Sequence, residues 1–269
     1  MAAGGRVTGT LDGWTATPFS AGGVTHDVYE RGEGPGVVLV PEIPGMTPEV
    51  IGLADHLVAS GFTVAVPSPF GEPGREAGAG SVARVLPRLC VSREFRAFAT
   101  EVRRPFTDWL RALAADLAAR TPGPGVGVIG MCFTGGFALA TAVDGAVVAA
   151  VASQPGTPFP VGARRTANGG LSTEDLGIVA ERAARGEVCA MGLRFSEDRG
   201  APRARFDTLR RALGDRFEVI ELDSSPGNAG GFARTAHSVL TNELRDVPGH
   251  PALEARERVV AFLRERLTA

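Results

Sequence analysis

Cys132 lies between a predicted buried strand, Val126–Met131, and a predicted helix that begins at about Thr134. A nucleophile held on such a sharp strand-to-helix turn takes a strained backbone, so the turn needs small residues two positions before and two after it. Gly130 and Thr134 meet that need. The positive end of the helix dipole would lower the pKa of the thiol, and the backbone N–H of Phe133 would face a developing oxyanion. The segment therefore predicts a thiol nucleophile.

The other two cysteines lack this setting. Cys189 lies within an apolar run and Cys90 lies beside a glycine- and arginine-rich stretch, and a free cysteine is commonly a buried structural residue. Residues 125–130 also match the G-x-G-x-x-G pattern of dinucleotide-binding proteins. That pattern must follow a strand and open a helix, whereas here the glycines precede the strand and run through it. We therefore predict neither a second reactive cysteine nor a dinucleotide site.

Histidine is the expected base for a thiol nucleophile, and the chain has four: His26, His56, His237 and His250. In α/β-hydrolases the nucleophile, the acid and the histidine follow one another in that order along the chain, which leaves His237 and His250. His237 follows the predicted strand 217–222, at the end where a doubly wound sheet gathers its site. His250 instead comes just before the last predicted helix. We predict that His237 is the base.

The acid that orients this base should follow the predicted strand 188–195, which runs into Ser-Glu-Asp-Arg-Gly-Ala-Pro. Both Glu197 and Asp198 qualify by position. An aspartate followed by a turn and a helix-starting proline is the commoner arrangement. We predict that Asp198 is the acid, with Glu197 as the alternative.

The loops that carry Cys132, Asp198 and His237 must be positioned by the rest of the chain, in which apolar strands alternate with amphipathic helices. The predicted strands cover residues 36–41, 62–66, 126–131, 147–152, 188–195 and 217–222, with an antiparallel edge strand at 24–29. The predicted helices cover 47–60, 92–120, 134–142, 172–185, 202–213 and 252–267. Such alternation predicts an α/β-hydrolase fold, a mostly parallel doubly wound sheet with helices on both faces. The stretches 71–89 and 155–170 are predicted as loops over the sheet edge, and we expect a single domain over residues 1–269.

The composition excludes several classes of function. All 28 basic residues are arginine, which removes Walker-type phosphate binding, Schiff-base chemistry and pyridoxal-phosphate sites. The formal net charge is −2, with both signs mixed, so we expect neither nucleic acid nor an anionic membrane as a partner. No pair of cysteines has C-x-x-C spacing, and we predict no metal and no cofactor. Residues 1–13 contain one arginine and no apolar core, so we expect a flexible segment rather than a signal peptide, and a cytoplasmic protein.

The residues around these positions resemble the dienelactone hydrolase family over about 36–267. The family's turn at the nucleophile reads G-x-C-x-G-G, and Gly-Met-Cys-Phe-Thr-Gly-Gly at 130–136 is similar, with threonine at the first of the paired positions. Its aspartate loop resembles residues 195–202, and its histidine resembles Ala-His-Ser at 236–238. The family also keeps a glutamate in the context Glu-Ile-x-Gly, which Glu-Ile-Pro-Gly at 42–45 matches.

The resemblance implies further roles. It implies that Glu42 holds the resting thiol until substrate binding frees it, and a carboxylate beside a cysteine does oppose thiolate formation. It also implies that the N–H of Ile43 is the second oxyanion donor. The family's lactone hydrolases hold a substrate carboxylate with arginines, one of them four residues after the histidine, where this chain has Thr241. Arg93 or Arg96 could replace the other arginine, although Arg93 could equally be a surface residue. Because Thr241 stands in place of one carboxylate-binding arginine, the dienelactone itself is not the expected substrate.

The predicted activity is hydrolysis of a small carboxylic ester or lactone through a cysteine acyl-enzyme, with Cys132, His237 and Asp198 as a catalytic triad. Two alternatives remain at this point. One is a non-hydrolytic lyase or isomerase on the same scaffold, and the other is a redox-sensing or binding protein that uses a reactive Cys132 without catalysis. We expect a small-molecule ester or lactone as the partner, and a monomer or homodimer.

Overall fold

A computed structural model describes residues 5–78, 80, 82, 83, 85, 95, 105–156, 162 and 166–268. Eight strands form one sheet: β1 (Thr15–Ala21), β2 (Val24–Arg31), β3 (Gly36–Val40), β4 (Thr63–Pro67), β5 (Val126–Met131), β6 (Val147–Ser153), β7 (Cys189–Phe195) and β8 (Phe217–Leu222). Their order across the sheet is β1-β2-β4-β3-β5-β6-β7-β8. Strands β3 to β8 run parallel, while β1 and β2 are antiparallel to their neighbours. This is the predicted doubly wound sheet.

Six helices whose bounds fall within the described residues cover the two faces of the sheet: α1 (Pro48–Ala59), α2 (Pro105–Arg120), α3 (Gly135–Thr141), α4 (Thr173–Ala184), α5 (Arg203–Leu213) and α6 (Pro251–Leu267). Their apolar residues form two buried clusters. One cluster joins the sheet to α2, α3, α4 and α5, and the other joins it to α1 and α6. Because both faces are covered, the central strands β3, β5 and β7 are buried along their whole length, as their continuous apolar runs predict.

The helix starts follow local chemistry that the sequence already shows. The hydroxyl of Thr47 accepts the N–H of Val50 at 3.4 Å and caps α1, and proline occupies its first turn. The hydroxyl of Ser172 accepts the N–H of Asp175 at 3.0 Å and caps α4.

Three features differ from the expectation. The edge of the sheet is β1 rather than β2, since residues 15–21 add a strand that is mostly exposed and therefore lacks a strong apolar pattern. The amino-terminal segment, expected to be flexible, packs along α1: the N–H of Gly9 donates to the carbonyl of Pro48 at 2.8 Å, and the indole of Trp14 donates to Asp55 at 3.0 Å. Within the helix predicted from Ser92, Phe95 lies in a turn and α2 is described from Pro105, while residues 92–94 and 96–104 lie outside the described residues.

The two predicted loops at 71–89 and 155–170 fall partly outside the described residues. Among the helices that are described, none has the length and apolar character needed to cross a bilayer. The parallel strands all end at one edge of the sheet, and the loops that leave β3, β5, β6, β7 and β8 there carry the polar residues that follow.

Candidate active site

Cys132 occupies a strained turn between β5 and α3. Its φ of +52° lies in the left-handed region, which a residue with a side chain adopts only at a cost. A short 3₁₀ turn over Cys132–Thr134 then leads into α3. A Cβ at Gly130 would collide with the carbonyl of Thr134 and lie 2.9 Å from the Cβ of Ala138. The turn therefore requires glycine at 130, as the sequence predicts, and it leaves the thiol half-buried.

Thr134, which stands at a position where the family pattern has glycine, stabilises this turn. Its hydroxyl is fully buried, accepts the N–H of Met131 at 2.9 Å, and lies 3.1 Å from the carbonyl oxygen of Val40 at the end of β3. The threonine thus joins the turn after β5 to the neighbouring strand. Threonine in place of the family's glycine therefore adds hydrogen bonds that glycine, which has no hydroxyl, could not form.

The paired glycines after this turn contact the loop that follows β6 rather than the sheet. A Cβ at Gly136 would lie 2.6 Å from the Cα of Gly170, and a Cβ at Gly135 would lie 2.8 Å from the Cβ of Pro155. The absence of side chains at these two glycines lets Pro155 and Gly170 approach the start of α3.

His237 bridges Asp198 and Cys132. Its Nδ1 donates to Oδ2 of Asp198 at 2.7 Å, and its side chain also hydrogen-bonds that of Cys132. Because Nδ1 is occupied by the carboxylate, the bond to the sulfur uses Nε2. Burial of the imidazole opposes its charging, but the hydrogen bonds to Asp198 and Cys132 outweigh burial and raise the pKa of His237 to about 11.

Asp198 is itself held rigidly. It is 8% exposed, and its second oxygen, Oδ1, accepts the N–H of Gly200 at 2.8 Å. The alternative acid, Glu197, instead forms an ion pair with the exposed Arg234 at 2.9 Å. Of the two carboxylates in this loop, the structure thus brings Asp198 to the imidazole.

The remaining histidines lie elsewhere. His250 is the residue before α6, where the sequence placed it, and its ring packs against Phe232. His56 lies on α1 beside Glu257, and His26 lies on β2 against Trp109.

Glu42, directly after β3, is 4% exposed and held by three side chains. Its Oε2 accepts the hydroxyl of Ser238 at 2.8 Å and the amide of Gln154 at 3.2 Å. Its Oε1 accepts the hydroxyl of Thr241. The contact with Cys132 that the resemblance implies is not among the hydrogen bonds that the described residues give this carboxylate. Two of its three partners belong to the loop that carries the base.

Gln154 is a residue of this region that sequence reasoning missed. It follows β6, is fully buried, and has a φ of +35°, which is unusual for a residue with a side chain. Its amide group links Glu42 to the N–H of Val239, which donates to Oε1 at 3.4 Å. A non-glycine residue with positive φ at a strand end is a frequent mark of a functional region, but no sequence pattern revealed it here.

Phe133 and Ile43 carry the two backbone N–H groups predicted as oxyanion donors. Phe133 lies in the 3₁₀ turn directly after Cys132, where a first-turn N–H is not used within the helix. Ile43 follows Glu42, and its side chain packs on the same apolar cluster as Cys132. Arg93, the predicted substrate-binding residue, and its alternative Arg96 lie outside the described residues. Within the described part of the chain, no three His, Cys, Asp or Glu side chains converge as metal ligands.

A cleft of about 450 Å³ opens beside the acid loop. Its walls come from two segments, the acid loop and the loop before His237, and its lining residues are Glu197, Asp198, Arg199, Gly200, Arg234 and Thr235. Asp198 lies in the wall of this cleft, whereas Cys132 and His237 are not among its lining residues.

Comparisons with known proteins agree with the fold. The model of the dienelactone hydrolase family matches residues 24–267. The solved structure m3DLH is 18% identical, with a TM-score of 0.64, and covers 94% of this chain and 98% of its own. A dienelactone hydrolase-like promiscuous phosphotriesterase from metagenomic libraries is 16% identical, with a TM-score of 0.62 and the same two coverages. Dienelactone hydrolase from Anabaena variabilis ATCC 29413 is 14% identical, with a TM-score of 0.57, and covers 94% of this chain and 98% of its own. Comparison with curated protein sequences gives no match.

The close approach of Gly136 to Gly170 gives a first prediction. Gly136→Ala should lower the free energy of unfolding by about 1–3 kcal/mol, because the added methyl group meets backbone that cannot move aside without shifting the turn at Cys132. Gly177→Ala is the matched control, since Gly177 lies in α4 with open space around it and should gain about 0.5–1 kcal/mol. Urea unfolding of both variants measures the difference, and equal stabilities would contradict the packing described here.

The raised pKa of His237 gives a second prediction. In NMR titrations of the four histidine rings, His237 should remain an imidazolium well above pH 6.5 in the wild type. Cys132→Ala and Asp198→Asn should each lower its pKa, because each removes a hydrogen bond that favours the charged ring. His56, whose pKa is lowered by burial and by Arg256, is the internal control and should titrate alike in all three proteins. A His237 signal that is unmoved in both variants would show that neither bond sets its protonation.

Proposed function

The chain belongs to the dienelactone hydrolase family, and we propose that it hydrolyses a small carboxylic ester or lactone through an acyl-enzyme on Cys132. The family and the hydrolases of the same fold support a hydrolase. The observation that carries the finer proposal is the hydrogen-bonded series from Cys132 through His237 to Asp198. Nucleophile, base and orienting acid in that arrangement are the minimum that acyl transfer to a side chain needs.

The reaction would run in two halves. His237 takes the proton of Cys132, and the thiolate attacks the carbonyl carbon of the substrate. The tetrahedral intermediate collapses as the alkoxide leaves with the proton from His237, which gives a thioester on Cys132. His237 then takes a proton from water, the resulting hydroxide attacks the thioester, and the acid product leaves as the thiolate is restored.

Two backbone N–H groups would stabilise the negative oxygen of each tetrahedral intermediate. One is the N–H of Phe133, which lies in the short helical turn Cys132–Thr134, and the other is the N–H of Ile43, after β3. Fixed N–H dipoles aimed at a developing charge are worth about 3 kcal/mol each in acyl-transfer enzymes. In a lactone, the leaving alkoxide stays attached to the acyl group and reaches the same proton on His237.

Glu42 acts, in this proposal, as an anchor rather than as a gate for the thiol. Its carboxylate binds Ser238 and Thr241 on either side of the turn that follows His237, and Gln154 from the end of β6. Thr241 stands where the family's lactone hydrolases have a carboxylate-binding arginine, and its hydroxyl is already engaged. A substrate without a free carboxylate therefore suits this site better than a dienelactone.

Removal of the sulfur is the direct test. Cys132→Ala should abolish hydrolysis of p-nitrophenyl esters and of a panel of small lactones while the unfolding transition in urea stays near that of the wild type. Intact-mass measurement of the wild type with an activated ester should find one acyl group, and peptide mapping should place it on Cys132.

Cys189→Ala is the matched control for this test. That thiol is buried in β7, away from the imidazole, and its removal should leave hydrolysis intact. Undiminished turnover in Cys132→Ala would reject the mechanism. A Cys132 that forms sulfenic acid at low oxidant but takes no acyl group from any substrate would favour redox sensing instead.

A second substitution distinguishes the two roles considered for Glu42, support of the loop that carries His237 and restraint of the Cys132 thiol. Glu42→Gln should lower kcat/KM by about tenfold or more, because a neutral amide accepts the three donors more weakly and the loop carrying His237 loses support. Alkylation of Cys132 by iodoacetamide in the resting enzyme should not become faster. If Glu42 restrained the thiol, the same substitution would accelerate that alkylation.

Glu49→Gln is the control for Glu42→Gln. Glu49 is also a buried carboxylate, at the start of α1, but it is paired with Arg6 and not with the histidine loop. Its substitution should leave both kcat/KM and the alkylation rate near the wild-type values.

A further inference from the structure

Arg205 carries a buried positive charge behind the proposed site. It lies in the first turn of α5 and is fully buried, which is rare for arginine. Its guanidinium donates to carbonyl oxygens of three separate segments: Asn168 at 2.6 Å, Gly200 at 3.1 Å, and Pro155. One side chain therefore joins the loop after β6, the stretch before α4 and the acid loop.

Two of these segments contact residues of the proposed mechanism directly. Gly156, next to Pro155, donates its N–H to the carbonyl of Cys132 at 2.8 Å, and a Cβ built on it would lie 3.7 Å from the sulfur. Gly200 donates its N–H to Oδ1 of Asp198 at 2.8 Å. The same guanidinium thus fixes the backbone beside the thiol and the backbone beside the acid.

The third segment reaches the start of α3. The side-chain oxygen of Asn168 accepts the N–H of Gly170 at 2.7 Å, and Gly170 packs against Gly136. Arg205 consequently supports both ends of the segment after β6 where that segment touches the turn at Cys132.

The charge of Arg205 is retained in spite of burial. Burial lowers its pKa to about 10, and the negative charges of Asp198 and Cys132 act in the opposite direction. A pKa of about 10 leaves the guanidinium charged at neutral pH. A buried ion is costly unless opposite charges nearby offset the cost, and the thiolate and the carboxylate of the proposed mechanism are such charges.

We propose that Arg205 is a positioning residue whose buried charge favours the thiolate of Cys132 while its three hydrogen bonds hold the loops beside Cys132 and Asp198. The inference rests on the proposed role of Cys132 as nucleophile. With Cys132 and Asp198 ionised and His237 an imidazolium, these three groups carry a net charge of −1, so the thiolate would form less readily if Arg205 were neutral. The arginine balances Asp198 and lets the thiolate form beside the imidazolium of His237.

The test is the pH dependence of Cys132 alkylation by iodoacetamide, followed by peptide mapping, in the wild type, Arg205→Gln and Arg205→Lys. The glutamine variant keeps hydrogen-bond donors and loses the charge, so its alkylation midpoint should rise by about one pH unit, which corresponds to about tenfold slower alkylation below the midpoint. The lysine variant keeps a charge and loses the forked geometry, so its midpoint should stay within a few tenths of the wild-type value.

Arg210→Gln is the matched control, since Arg210 lies exposed on the same helix and the substitution removes the same formal charge. Its alkylation midpoint should equal that of the wild type. Urea unfolding identifies which variants are folded. A folded Arg205→Gln with an unshifted midpoint overturns the inference. If Arg205→Gln does not fold, Arg205→Lys decides: a wild-type midpoint supports the role of the charge, and a midpoint near that of a free thiol, about 8.5, overturns it.

The readout does not depend on ester hydrolysis. A wild type that alkylates at a low midpoint but hydrolyses no ester would overturn the proposed function and leave the role of Arg205 open to the same comparison. If the wild type hydrolyses esters and the alkylation midpoint of Arg205→Gln equals that of the wild type, only the role of Arg205 is overturned.

Discussion

The backbone at Cys132 is held at a φ of +52°, a conformation that costs on the order of 1–3 kcal/mol for a residue with a side chain. Such a turn persists only where the surrounding structure leaves the chain no alternative. Here Gly130 allows the close return of the chain, the hydroxyl of Thr134 ties the turn to β3, and Gly136 lets a second loop pack against the first turn of α3. The exposure of the thiol and its approach to His237 both depend on this constraint.

Two polar systems support the groups around that turn from opposite sides. On one side Glu42 gathers Gln154 and the loop of His237 around a buried carboxylate. On the other side Arg205 gathers the loop after β6 and the loop of Asp198 around a buried cation. The negative and the positive centre together contact the loops after β3, β6, β7 and β8 at the carboxyl edge of the sheet. Buried charges of this kind are costly in isolation, and their placement beside a proposed catalytic series is consistent with a role in orienting it.

The sequence predicted the framework well because local patterns determine it. The six parallel strands were visible as short apolar runs, and α1 and α4 were visible as helical segments that begin near Thr47 and Ser172. Strand β1 was missed because its residues are mostly exposed and its middle contains Pro18. The partners of Glu42 and Arg205 could not be predicted, since they lie 37 to 199 residues away along the chain apart from Gly200. An arginine in an amphipathic helix such as α5 also resembles a surface residue until its neighbours are known.

The segment that leaves β6 is pinned twice, at Gly156 against the carbonyl of Cys132 and at Gly170 against Gly136. Changes at either anchor would be transmitted to the sulfur. A redesign of substrate preference that altered Gly156 or Gly170 would therefore also alter the nucleophile.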